Sequence, residues 1–139
     1  MLRRGSIRRI TQKYVEELDI RISSSRQKMR TLSGGNQQKV ILGRGLATNP
    51  SILLLHEPTR GIDVGAKAEI YEILQALARE GVTILIISSE LPELISQCDR
   101  ILVMYQGKIT GDFSGDQAQE ELILACAMGQ MVHLDPVQS

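Results

Sequence analysis

The clearest pattern of apolar and polar positions lies in the middle of the chain. Ile70, Ile73, Leu74 and Leu77 recur at i, i+3, i+4, i+7, which puts four apolar side chains on one face of a helix over Val64 to Glu80. Asp63 stands where it can cap that helix, and Gly81 occupies the C′ position that ends one. Ile52-Leu53-Leu54-Leu55 has no alternation, as expected of a strand covered on both faces in a parallel sheet. Val82 to Ile87 and Ile101 to Tyr105 read as second and third strands. Upstream, Tyr14, Val15 and Leu18 give Thr11 to Leu18 helical character, and Ser23 to Lys28 reads as a loop. A further helix follows Ser33, with Val40, Leu42, Gly43, Leu46 and Ala47 largely to one side. It stops near Asn49, because the residue before Pro50 is pushed out of the helical region.

Pro92 fits the first turn of a short helix over Leu91 to Gln97. Gln106-Gly107-Lys108 is a turn into Ile109 to Phe113. Asp116 and Gln119 have the spacing of a capping box for a last helix, Gln117 to Met128, which Gly129 stops. Met1 to Arg9 reads as a solvated basic end and Met131 to Ser139 as a frayed tail. Strand, helix, strand, helix, strand is the order of an α/β fold with a parallel sheet and crossover helices.

Composition narrows the function classes. A chain of 139 residues with 42% apolar and 23% charged residues is one domain's worth of ordinary globular sequence. Its formal net charge of +0 gives no global field to recruit nucleic acid or an anionic membrane. Aromatic residues make up 3% with no Trp, which argues against a stacking platform for single strands. Cys98 and Cys126 lie far apart, as two reduced thiols would. No apolar run approaches a membrane span, so membrane association is expected only through a partner.

The chemistry concentrates between Thr31 and Lys67. Ser33-Gly34-Gly35 opens a helix, and such a start offers unpaired N–H groups and a positive dipole end to a phosphate. Glu57 follows an aliphatic strand, where a phosphoryl-transfer enzyme holds a water-activating carboxylate and where open α/β sheets bind ligands. Each has a plainer account: a glycine-rich capped helix, and a surface carboxylate.

Leu32-Ser33-Gly34-Gly35-Asn36-Gln37-Gln38-Lys39-Val40 and Glu57-Pro58-Thr59-Arg60-Gly61-Ile62-Asp63-Val64-Gly65-Ala66-Lys67, in this order, resemble the ATPase subunits of ABC transporters. Their wording is similar to the monosaccharide importers, and Ser88-Ser89-Glu90-Leu91-Pro92-Glu93 resembles the second of the two tandem nucleotide-binding domains of those subunits. The resemblance runs from about Tyr14 to Gly129. It implies a P-loop NTPase-like parallel sheet with crossover helices, truncated at the N-terminus and lacking the Walker A strand, loop and helix. Residues from about 8 to 50 would be the helical subdomain and signature helix, 51–129 the Walker B, D-loop and switch portion, and 130–139 the tail.

The resemblance also assigns roles. Ser33, Gly34, Gly35, Asn36 and Gln37 would form the signature, which acts in trans on ATP held by another domain. Glu57 would be the general base, Asp63 the D-loop aspartate and Ser89 the residue at the switch position. His56 stands where the family has an Asp that helps hold Mg²⁺, and imidazole is a poor replacement for a hard oxygen ligand. A tolerated histidine is the plainer account, and no metal site is expected. ATP and Mg²⁺ are the implied cofactors. A complete nucleotide-binding domain with its own Walker A loop and membrane permease subunits are the implied partners, with no nucleic acid and no direct membrane insertion. The expected location is cytoplasmic, at the inner face of the cell membrane. No Gly-x-x-x-x-Gly-Lys-Ser/Thr run occurs in this sequence, so hydrolysis by the chain alone is not expected. The alternatives are a non-catalytic interaction or regulatory module and a decayed fragment without independent activity. A nucleic-acid-handling ABC ATPase would carry a long coiled-coil insertion, for which this chain has no room.

Overall fold

The computed structural model describes residues 4–130. Met1 to Arg3, and the tail Met131 to Ser139 with His133, lie outside the described residues. The chain forms two compact units, one running to Ile87 and the other starting at Ser88. The helices before Pro50 pack onto the elements after it, so both lie in the first unit.

The first unit contains α1 (Arg4–Glu17), α2 (Gly34–Leu46), β1 (Ile52–His56), α3 (Val64–Arg79) and β2 (Thr83–Ile87). Helix α1 starts at Arg4, so most of the stretch expected to be a solvated end is helical. Arg, Ile and Gln are adequate helix formers, and their exposure along this segment left no buried stripe for the pattern to reveal. The Tyr14 hydroxyl donates to the Leu46 carbonyl at 2.8 Å and ties α1 to the end of α2. A Cβ at Gly43 would lie 3.2 Å from Leu18 and 3.3 Å from Tyr14, so the crossing of α1 and α2 needs a small residue there.

Strands β1 and β2 pair in parallel, Ile52 opposite Thr83 through His56 opposite Ile87. Leu53, Leu55, Ile84 and Ile86 face a core shared with Leu42, Leu46, Ile70 and Leu74. The helical stripe of α3 therefore buries as its spacing requires. The other face of the sheet is bare: Ile52 is 65% exposed and Leu54 63%. The expectation that β1 is covered on both faces fails within this chain. The missing alternation stands, but nothing described covers the second side.

In the second unit, α4 (Leu91–Gln97) leads to β3 (Arg100–Tyr105), β4 (Lys108–Ser114), a single 3-10 turn over Gly115–Gln117, and α5 (Glu120–Ala127). The strand at Arg100–Tyr105 does not join the parallel sheet. It pairs antiparallel with β4, from Arg100 opposite Ser114 to Tyr105 opposite Lys108. Gln106 at φ 47 and Gly107 at φ 77 make the two-residue turn with positive φ at both positions that matches strand twist in a hairpin. Phe113 and Cys126 are fully buried against Ile101, Val103 and Ile123.

The last helix begins at Glu120 with Gln119 at its N-cap, not at Gln117 with a capping box. The 3-10 turn takes up the residues that the box would have used, and the Gln119 N–H bonds the Gln117 carbonyl. Gly129, at φ 90, ends the helix as expected.

Candidate functional site

Three segments of the first unit carry the motif residues: the start of α2, the end of β1 and the start of α3. Ser33 has extended geometry at the N-cap of α2, at φ −61 and ψ 157. Its hydroxyl does not cap the helix. Instead it accepts a hydrogen bond from Asn36 Nδ2 at 2.8 Å, so an expected backbone partner is replaced by a side chain one turn on. Ser33 and Gly34 are exposed and Gly35 is buried.

The two glycines have a packing reason that the sequence did not reveal. A Cβ at Gly35 would lie 2.6 Å from Ala66 Cβ, and one at Gly34 would lie 3.0 Å from Ile62 Cγ2. The start of α2 thus rests directly on the start of α3 and the loop before it. Asp63 caps α3 by accepting from the Ala66 N–H at 2.9 Å, which leaves the same side chain exposed.

Asn36 and Gln37 are engaged within the chain. Asn36 Oδ1 accepts from the Arg21 N–H at 2.7 Å, and Gln37 Nε2 donates to the Leu32 carbonyl at 2.9 Å. Two residues outside the expected set anchor this corner. Lys39 is 3% exposed, yet its ammonium reaches Glu69 Oε2 on α3 at 2.8 Å and the Asp19 carbonyl at 3.1 Å. Arg21 also approaches Glu69, at 3.7 Å. The Lys39 hydrogen bond and charge, helped by Arg21, hold the Glu69 carboxyl below the usual glutamate range. The sequence did contain a signal for Lys39, since Gly35, Lys39, Leu42, Gly43 and Leu46 follow helical spacing and all are buried.

Glu57 directly follows β1 at the carboxyl end of the parallel pair, and its N–H donates to the Ile87 carbonyl at 2.7 Å. It is half-buried and takes φ 50, a left-handed conformation that costs a non-glycine residue about 1 kcal/mol or more. His56 is exposed at the strand end, on the same bare side as Ile52 and Leu54. The donor set here does not suit Mg²⁺. One carboxylate stands beside an imidazole nitrogen, whereas Mg²⁺ requires near-octahedral hard oxygen ligands. Among the described residues no group of three or more His, Cys, Asp or Glu could hold a metal. Ser89 is exposed at the start of the second unit.

No helix among the described residues is long and apolar enough to cross a membrane. The family model described as ABC transporter matches residues 6–60. The chain is 55% identical over 116 residues to the xylose import ATP-binding protein XylG of Moorella thermoacetica, covering 84% of this chain and 23% of that protein. It is 51% identical over 122 residues to the ribose import ATP-binding protein RbsA of Caldanaerobacter subterraneus subsp. tengcongensis, covering 88% of this chain and 25% of that one. The chain therefore spans about a quarter of the length of the curated relatives it matches. Among solved structures, an ATP-binding cassette of an ABC transporter in its ADP conformation matches 97% of this chain and 49% of its own, with a TM-score of 0.72 and 28% identity. A nucleotide-free cassette matches 84% and 46%, also at 0.72, with 29% identity.

Proposed function

From the premise that this chain belongs to the ABC transporter family, we propose that it supplies a signature face in trans to ATP bound on a complete cassette. The observation that carries this reading is the exposure of Ser33 and Gly34 at the start of a 13-residue helix. There the backbone N–H groups and the dipole favour an anion. In this reading Ser33, Gly34 and Gly35 cap the triphosphate, and Asn36 and Gln37 hold the shape of the corner. Asp63 faces the opposite site beside them, and Ser89 takes the switch position.

The natural role is coupling ATP hydrolysis to monosaccharide import, through permease subunits at the inner face of the cell membrane. Similarity to xylose and ribose import proteins supports that assignment. In this reading the phosphate loop and Mg²⁺ that work with this face are those of the partner cassette, and His56 leaves this chain's own strand end one oxygen donor short. Glu57 is the residue to orient an attacking water. On its own the chain hydrolyses ATP slowly or not at all.

The test is to add the purified chain to a complete sugar-importer cassette and follow ATP hydrolysis. A change in rate that is absent with Ser33→Arg is expected. No change with the wild-type chain, or an equal change with Ser33→Arg, overturns the reading. Hydrolysis by the chain alone that vanishes in Glu57→Gln overturns the assignment of the phosphate loop to the partner.

A further inference from the structure

We infer that Asn36 is a positioning residue that sets the direction of the Ser33 hydroxyl proton, and that Arg21 sets Asn36; this rests on the signature reading above. The Arg21 backbone N–H donates to Asn36 Oδ1 at 2.7 Å. That contact fixes the amide, so Nδ2 and its protons must face the other way. They face Ser33 Oγ at 2.8 Å. A hydroxyl has one proton and two lone pairs, and here a lone pair is already used by Asn36. Among the described residues, the proton of Ser33 finds no acceptor, and the side chain is exposed. The hydroxyl is left with its donor free, the state a serine needs to bond a phosphate oxygen.

Arg21 does not float. Its guanidinium lies 3.7 Å from Glu69, which also takes the buried Lys39 ammonium at 2.8 Å. Lys39 further donates to the Asp19 carbonyl, two residues before Arg21. The segment bearing the Arg21 N–H is thus pinned to α2 and α3 together. The consequence is specific: what matters at position 36 is a side chain that accepts on one side and donates on the other.

Asn36→Asp separates this from a merely structural role. Aspartate keeps the acceptor for Arg21 but cannot donate to Ser33, so the Ser33 proton turns inward toward the carboxylate. With the chain added to a complete cassette, Asn36→Asp is expected to lower the added ATPase rate roughly tenfold, the order of one hydrogen bond to a charged group. In a Ser33→Ala background the same change keeps only the repulsion between its carboxylate and the triphosphate, so it is expected to cost several-fold less than in the wild-type background. Full activity of Asn36→Asp, or losses that multiply in the double variant, overturns the inference. The chain alone gives a second readout. In NMR exchange measurements the Asn36 side-chain amide is expected to be protected in wild type and to lose protection in Ser33→Ala. Equal exchange in both overturns the inference whatever the partner does, whereas a wild-type chain that leaves the cassette's rate unchanged overturns the signature reading.

Discussion

A methyl group at Gly35 would have to share space with Ala66, at 2.6 Å between the two Cβ atoms. Both belong to helix starts, so neither can swing aside as a flexible side chain can. Gly35→Ala is expected to destabilise the first unit by about 1–3 kcal/mol, the range for overpacking a tight contact. The lower urea midpoint of the variant, partly restored by Ala66→Gly, checks it. Gly34→Ala should be milder, because its close neighbour is an Ile62 methyl that can turn away. The sequence pointed to these glycines for a ligand's approach, and the structure adds a reason that lay out of its reach. Which residue meets Gly35 depends on a position 31 further along the chain, and no local spacing encodes that. Asp63 was legible for the opposite reason: its cap involves an N–H three residues on, and short-range geometry is written in short-range sequence.

At the scale of elements, α2 and α3 are locked by Lys39 and Glu69, and removing either partner has unequal consequences. Lys39→Met puts an apolar side chain of similar length in a buried place, and the carboxylate it deserts is 43% exposed, with Arg21 3.7 Å away, so the loss is the smaller one. Glu69→Ala strands a buried ammonium and is expected to be the more destabilising of the two. Their order in thermal unfolding checks this. The pair also sets a pH dependence. Because Lys39 holds the Glu69 carboxyl below its ordinary pKa in the folded chain, the unfolded chain binds more protons in acid. The contribution is complete above the ordinary glutamate pKa of about 4.3 and is lost as pH falls through the depressed folded value. Glu69→Gln is expected to flatten that acid loss in urea titrations between neutral pH and pH 3. Most elements were legible: α3 follows from its stripe and Gly81, α4 from Pro92, and both parallel strands from apolar runs. The partnership of β3 was not. An apolar run marks a strand without naming its neighbour, and the positive-φ turn at Gln106-Gly107 makes that neighbour the next strand, antiparallel.

At the scale of the whole molecule, the bare face of the parallel sheet is the feature that composition concealed. Ile52, Leu54, Leu85 and Ile87 are each at least 50% exposed and lie side by side on two paired strands. Exposed apolar patches of this kind associate. The combined Leu54→Lys and Leu85→Lys variant is expected to sediment as a smaller species than wild type at equal concentration, with an unchanged far-ultraviolet spectrum. Equal sedimentation would show that the face is not an association surface. The division after Ile87 has a different outcome. One core is built on Ile70 and Leu74, the other on Phe113 and Cys126, and no buried residue is common to both. Cooperativity resides in such cores, so the melting enthalpy should split into two smaller domains of heat absorption. A single unfolding free energy would then average two separate equilibria, and a probe near one core would be silent about the other.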